Sequence, residues 1–476
     1  MVVGELAEER ELIIIGGGPG GYHAAIRAAQ LGLSVLLIEK EELGGVCLNK
    51  GCIPSKVFTQ LARKHKELDH YQKMGLGTGS VSVNLSKLQE YKTSLIGQLK
   101  KGVDSLCKAN KVEVVKGAAS FLAENKIGVE NGHQFTVYSF QSAIIATGSK
   151  REKPSFIPGY SSRILNEFSI YELREIPEEL IVHGSSYIEL EAASSFAALG
   201  TKVTLVLNGE LPFDDSINKE LARVLKKMKV KLMTGFEPQE AAESSDGVSV
   251  TFVKQGGDSV TLETPYFFSA ARQTANIGDL GLDRLKMNLT NDGFIEIDES
   301  CRTSIQSIFA IGDVTSGQPL AVKAIRQGKV AAENAADVPA EYDDSLLPVI
   351  AQTIPPIASI GMTEKEAAEE YDVSVSTYPM GGNGFAQLSG EKEGVIKVVA
   401  DSENDLILGI HMMGIGAVEM IPGAAVGMEM AGRDEDFSYP YYPHPNTSES
   451  LQEAMEALKG RAVHLPPVKQ KEFSKV

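Results

Sequence analysis

The hydrophobic and polar positions of this chain run through one order twice. The apolar run from Glu11 to Ile15 reads as a short strand, and the turn Gly16-Gly17-Gly18-Pro19-Gly20-Gly21 follows it directly. Tyr22 to Leu31 then reads as a helix, and Ser34 to Ile38 as a second strand ending in Glu39. Farther on, Leu180 to His183 reads as a strand, Gly184-Ser185-Ser186 as a turn, Tyr187 to Leu199 as an Ala-rich helix and Lys202 to Leu207 as the closing strand. The two starts lie about 170 residues apart, which predicts two nucleotide-binding-type folds in one chain.

Boundary signals surround the second unit. Lys153, Pro154 and Pro158-Gly159 break the chain after the apolar stretch Ala143 to Gly148, and a further apolar strand, Ser307 to Ile311, ends in Gly312-Asp313. After Asp337-Val338-Pro339 the pattern changes to mixed strands and helices, with turns at Pro355-Pro356 and Gly381-Gly382. The expected fold class is α/β: two Rossmann-like nucleotide-binding domains plus a C-terminal α+β domain. Residues 1–150 and 272–345 are expected to form the first domain in two parts, 151–271 the second, and 346–476 the third.

Length and composition agree with this division. A chain of 476 residues has room for about three domains of roughly 100–200 residues each. A hydrophobic fraction of 43% and a charged fraction of 23% are ordinary for a soluble globular protein. A net charge of -17 without a basic stretch argues against nucleic acid and anionic membrane as partners. The opening MVVGELAEER is acidic and polar, so no targeting segment is expected there, and no run reaches the roughly 18 apolar residues of a membrane span. A cytoplasmic setting is the default. Four cysteines do not make a disulphide scaffold in so long a chain; Cys107 and Cys301 stand alone and read as structural.

The candidate chemistry begins at the first turn. Gly16, Gly18 and Gly21 fit a GxGxxG spacing: the first permits a tight turn, the second a close approach to pyrophosphate, and the third close packing of helix on strand. Glu39, at the end of the second strand, can accept hydrogen bonds from ribose hydroxyls. Directly after it comes Gly44-Gly45-Val46-Cys47-Leu48-Asn49-Lys50-Gly51-Cys52-Ile53-Pro54-Ser55-Lys56. Four residues separate the cysteines, and one helical turn is expected to bring their sulphurs within bonding reach. Zinc ligation is the rival reading, but no second Cys or His pair at matching spacing accompanies them, so no metal site is expected. Thiol chemistry beside a dinucleotide site is the better account.

These residues resemble the dihydrolipoamide dehydrogenase branch of the pyridine nucleotide–disulphide oxidoreductases, over nearly the whole chain. GGxCLNxGCIPSK is similar to that branch's redox-active segment, and Ala146-Thr147-Gly148-Ser149 resembles the family's strand-end segment near FAD. Ala310-Ile311-Gly312-Asp313 resembles its second FAD motif, and His444-Pro445-Asn446-Thr447-Ser448-Glu449 its catalytic His–Glu segment. The resemblance implies FAD as cofactor, held by Gly16, Gly18, Gly21, Glu39, Lys56, Thr147, Gly148, Asp313 and Ala321, with Glu191 beside the flavin. It implies that Cys47 exchanges with a dihydrolipoyl-type dithiol while Cys52 faces the flavin, and that Lys56 stabilises charge at flavin N5. It further implies a homodimer in which His444 reaches the partner's active site, and a lipoyl-bearing protein or small dithiol as substrate. His444 suits the role of base because imidazole titrates near operating pH, and a carboxylate at Glu449 can orient it. Taken alone, His444 would read as a surface loop residue. Mercuric reductases and large thioredoxin reductases use an extra C-terminal cysteine pair, and this chain has no cysteine after Cys301.

The second loop departs from the family. Where GGGxIGxE is expected the chain reads Gly184-Ser185-Ser186-Tyr187-Ile188-Glu189-Leu190-Glu191, so Ser186 and Glu189 replace the second and third glycines of the GxGxxG spacing. A carboxylate about 5 Å from a pyrophosphate, at an effective dielectric near 20, costs roughly 3 kcal/mol, about a hundredfold in affinity. Val206-Leu207-Asn208 offers neither the acid that NAD ribose wants nor the arginines of an NADP site, and Ala271-Arg272-Gln273-Thr274 departs from Gly-Arg-x-Pro. Three readings follow: dihydrolipoyl oxidation through Cys47–Cys52 and FAD to NAD, slightly favoured; the same half-reaction with a quinone, flavoprotein or oxygen as acceptor; and a flavoprotein that only docks on a lipoyl-bearing complex.

Overall fold

The computed structural model describes residues 7–77, 79, 81–254 and 256–466. Residues 1–6, within the opening expected to carry no targeting segment, and 467–476, at the end of the expected C-terminal domain, lie outside the described residues. The chain forms two compact units: Met1–Val57, Ser86–Ser155 and Ala271–Asp344 make one, and Phe58–Leu85, Phe156–Ala270 and Ser345–Val476 the other.

The first unit is built on β1 (Glu8–Ile15), α1 (Pro19–Gln30) and β2 (Val35–Glu39). β1 and β2 run parallel, with Leu12 opposite Val35 and Ile15 opposite Ile38. Leu12 and Ile14 pack with Ala24, Ala25 and Ala28 of α1, whereas Ile13 and Ile15 enter a core with Phe121 and Phe140. Burial on both faces explains why the strand is an unbroken apolar run rather than an alternation. β1 starts at Glu8, three residues before the apolar run, because its backbone ladder with Gln134–Ile145 already pairs Glu8 with Tyr138. α1 starts at Pro19 rather than Tyr22: proline at the first helical position presets φ and needs no donor, which outweighs the two glycines behind it. The sheet runs Glu113–Lys116, β2, β1, Gln134–Ile145, Lys126–Asn131, Ala118–Ala123, and Ile308–Ala310 also pairs with Gln134–Ile145.

The second unit repeats the device. Glu179–His183, helix Tyr187–Ala198 and Lys202–Leu207 form a second βαβ start in a five-stranded sheet with Lys231–Thr234, Tyr266–Ser269 and Ile164–Leu165. The same unit holds a five-stranded antiparallel sheet, ordered Val349–Ala351, Ile357–Gly361, Ile407–Met413, Val395–Asp401 and Val373–Pro379. Helices Ala417–Glu429 and Glu449–Ala457 bury Ile421, Ala424, Leu451 and Met455 in the core of that sheet. Inside the unit, buried Lys397 lies 3.5 Å from buried Asp214 and also pairs with Glu364. The expected mixed α/β class is what the chain adopts. Among the described residues no helix is long and apolar enough to cross a membrane.

Candidate active site

Cys47 and Cys52 are joined as a disulphide, with Cα atoms 4.6 Å apart. The expected single helical turn is not how they meet. Cys47 lies in a short helix, α2 (Gly45–Asn49), and Cys52 opens the next, α3 (Cys52–Lys73), with Lys50 and Gly51 breaking the chain between them. Five residues along one continuous helix would turn the sulphurs about 140° apart, so the break is what lets them join. Backbone bonds hold the two helices end to end: the Gly51 amide donates to the Val46 carbonyl at 2.8 Å, and the Ser55 amide to the Gly51 carbonyl at 3.0 Å. Lys56 follows Cys52 by four residues, on the same face of α3 and half-buried. Just upstream, the Gly44 amide donates to the Gly17 carbonyl at 2.8 Å, so the redox segment is tied to the first glycine loop.

That loop is open at its helix end. Gly16 has φ +106°, and a Cβ there would lie 2.4 Å from the Ala146 carbonyl oxygen; a Cβ on Gly21 would lie 1.8 Å from the Gly16 oxygen. Gly18 caps α1 with no side-chain hydrogen bond to the helix end, and a Cβ at Gly18 would meet only the Gly45 Cα, at 3.9 Å. Glu39 accepts from the Gly17 and Glu41 amides, both at 2.6 Å, one on each carboxylate oxygen. Two bonds leave further lone pairs on each oxygen. The buried Thr147 hydroxyl has no hydrogen-bond partner among the described residues. Gly148 is left-handed, and Ser149 donates to Asp313 at 3.0 Å. Gln327 accepts from the Gly312 amide at 2.7 Å, which fixes the turn carrying Asp313, and Ala321 opens helix Ala321–Ala335, again without a side-chain cap. Uncapped helix ends, an unpaired buried hydroxyl and a carboxylate at a strand end suit the phosphates and ribose of a dinucleotide such as FAD. The Ser149–Asp313 bond and the role of Gln327 escape sequence reasoning, because nothing local connects these positions.

The second loop is closed. Ser186 caps helix Tyr187–Ala198, and Glu189 reaches back in a full capping box: the Ser186 amide donates to Glu189 at 3.0 Å, and the Ser186 hydroxyl also bonds it. The Glu189 Cδ lies 2.5 Å from where a Cβ on Gly184 would be, so its carboxyl sits over the glycine. Ser185 donates to the Asn208 side chain at 2.8 Å, tying the loop to the end of the second strand. Burial raises the Glu189 pKa to about 7, and its Ser186 bonds only partly offset this. Where the sequence predicts a charge facing pyrophosphate, the structure seats the Glu189 carboxyl over Gly184, bonded to Ser186. Ser186-x-x-Glu189 has capping-box spacing, and that was the signal available in the sequence.

His444 and Glu449 lie in the second unit. His444 Nδ1 is 2.8 Å from Glu449 Oε1, and the Asn446 amide donates to Glu449 Oε2 at 2.8 Å. Burial alone would raise the Glu449 pKa, but the Asn446 amide and the His444 ring bring it below the ordinary carboxylate range. With Nδ1 donating to the carboxylate, the lone pair sits on Nε2, and the imidazole is 83% exposed. Glu191, buried in the same unit, accepts from the Gln352 amide at 2.7 Å.

The pyridine nucleotide-disulphide oxidoreductase family matches residues 10–328, and its dimerisation domain matches residues 347–455. Dihydrolipoyl dehydrogenase of Geobacillus stearothermophilus is 39% identical over 98% of this chain and 99% of its own length. The Bacillus subtilis dihydrolipoyl dehydrogenase is 38% identical over 98% of this chain and its own full length. Among solved structures, LpdA of Mycobacterium tuberculosis superposes with a TM-score of 0.87 at 23% identity, covering 94% of this chain and 99% of that one, a likeness of fold. The chain belongs to the pyridine nucleotide-disulphide oxidoreductases, in their dihydrolipoyl dehydrogenase branch. It is thus an enzyme of the flavin-dependent disulphide oxidoreductase type.

Proposed function

We propose that the protein oxidises dihydrolipoyl-type dithiols, carried on a protein or free, at the Cys47–Cys52 disulphide with FAD bound in the first unit. The observation that carries this reading is the closed pair itself, tied through Gly44 to an open dinucleotide loop. A substrate thiolate attacks Cys47, the Cys47–Cys52 bond breaks and Cys52 leaves as thiolate. The second substrate sulphur then displaces Cys47, closing the substrate's disulphide. The substrate gives up two electrons and two protons. The electrons leave Cys47 and Cys52 as thiolates; His444 takes one proton at Nε2, while Glu449 holds the ring and stabilises its cation, and the other proton passes to solvent. Lys56, one turn past Cys52, supplies positive charge on that side of α3. When bound, FAD supplies the two-electron acceptor that reoxidises the pair.

The match to the family's dimerisation domain, and exposed Met430, Tyr439 and Tyr441 within it, support a homodimer in which His444 serves the partner's cysteines. A cytoplasmic setting belongs to the same reading, supported by four cysteines in 476 residues. An intact pair and an oriented imidazole favour catalysis over docking alone. Both acceptors expected from the sequence, NAD and a non-nicotinamide oxidant, share this half-reaction; the seat of Glu189 favours the second. Anaerobic mixing with dihydrolipoamide should bleach the flavin of the wild type. Cys52→Ser should retain FAD and show no bleaching; a variant that still bleaches would overturn the assignment.

A further inference from the structure

We infer that the second βαβ start of this protein is not a nucleotide site: Ser186 and Glu189 fill it from within, and the oxidant of the proposed reaction is not a nicotinamide nucleotide. The inference rests on the dithiol reading only for the source of the electrons; the closure is a matter of geometry.

A dinucleotide needs three things from such a unit: free amides at the helix N-terminus, room over the glycine turn, and a ribose acceptor at the end of the second strand. Each is taken or missing here. The Ser186 amide and hydroxyl are spent on Glu189, and the Ser186 hydroxyl also accepts from the Ile188 amide at 3.3 Å. The room over Gly184 holds the Glu189 Cγ and Cδ, 2.6 and 2.5 Å from the position of an added Cβ. At the strand end stands Asn208, an amide that accepts from Ser185 and offers no carboxylate for a ribose diol. The Glu189 side chain is not a mobile surface group, since the residue is only 4% exposed.

The first unit shows that nothing in the architecture requires this. Its equivalent helix, α1, has a glycine cap, no acidic residue in its first turn and no side chain over Gly18. Its strand-end Glu39 bonds backbone amides and keeps acceptor capacity. The same fold therefore presents one open and one self-filled loop, and two side chains make the difference. For pyrophosphate to enter the second, Glu189 would have to leave the helix end, lose its cap bonds and carry its charge beside a dianion. Loss of the cap adds to the repulsion, so the expected penalty is about a thousandfold in affinity.

The test uses the full-length flavoprotein and three nucleotides: NADH, NADPH and NAD. Equilibrium binding and anaerobic flavin reduction are measured for wild type, Glu189→Gln and the double variant Ser186→Gly/Glu189→Gly. The wild type should show no saturable binding up to about 1 mM, and Glu189→Gln, which keeps the cap without the charge, should stay closed. The double variant should bind at least about tenfold more tightly. Wild-type binding at micromolar concentration would overturn the inference. So would recovery of binding in Glu189→Gln, which would make charge rather than occupancy the barrier, or a double variant no tighter than wild type, which would mean other residues exclude the ligand. Dihydrolipoamide-driven flavin bleaching, read in the same preparations, should be equal in all three. Its absence from the wild type would sink the dithiol reading and leave the nucleotide result standing on its own.

Discussion

At the scale of single residues, two carboxylates in the second unit show opposite uses of the same group. Glu449 is held charged by an amide and an imidazole, the arrangement that orients a base. His444→Gln removes that base and should slow dithiol-driven flavin reduction by about 10²–10⁴-fold while FAD stays bound, which stopped-flow kinetics can check. Glu189 is buried with its pKa pushed from 4.5 to about 7. A carboxyl whose pKa is higher folded than unfolded stabilises the fold while protonated. Its contribution is therefore full below 4.5 and is lost as pH rises through about 7. Gln at this position keeps the cap and cannot ionise. Relative to wild type, Glu189→Gln should gain stability on the order of 3 kcal/mol between about pH 4 and pH 8, measured by denaturant unfolding; parallel pH profiles would contradict this.

At the scale of elements, the decisive features are where helices begin and break. The Lys50-Gly51 break between α2 and α3 joins two cysteines that one unbroken helix would hold apart. α1 depends on its approach to β1, where an added methyl on Gly21 would collide with the Gly16 carbonyl. Gly21→Ala should cost about 1–3 kcal/mol in unfolding and lower the FAD content of the purified protein, with the disulphide still formed. The βαβ order and the closing strand Lys202–Leu207 were legible in the sequence, because strand and helix periodicities are local. The early starts of β1 and α1 were not. One is imposed by pairing with a strand more than a hundred residues away, the other by a proline whose fixed φ overrides glycine propensity.

For the whole molecule, the prediction concerns how two chains share the chemistry. If His444 serves the partner's cysteines, Cys52→Ser and His444→Gln chains are each inactive alone, yet a mixed dimer contains one complete site. Random mixing after unfolding and refolding with FAD should recover about a quarter of wild-type activity, since half the dimers are mixed and each has one working site of two. No recovery would show that each chain uses its own histidine. The exposed Met430, Tyr439 and Tyr441, in the segment matching the family's dimerisation domain, are where such pairing would bury apolar surface. Nothing in the periodicity of that segment announced a partner, because exposure is a property of the folded surface.

The sequence by itself determined the two βαβ starts, the cysteine pair, the His444–Glu449 spacing and the family, because each is written in residues a few positions apart. Only the tertiary structure decided which of the two loops stands open. Glu189 turns inward because burial and the helix end hold it there, and Ser149 meets Asp313 because folding closes a gap of 164 residues. Residue types and spacings specify what groups are available; the packed environment sets which donors remain unpaired, and so where a ligand can bind.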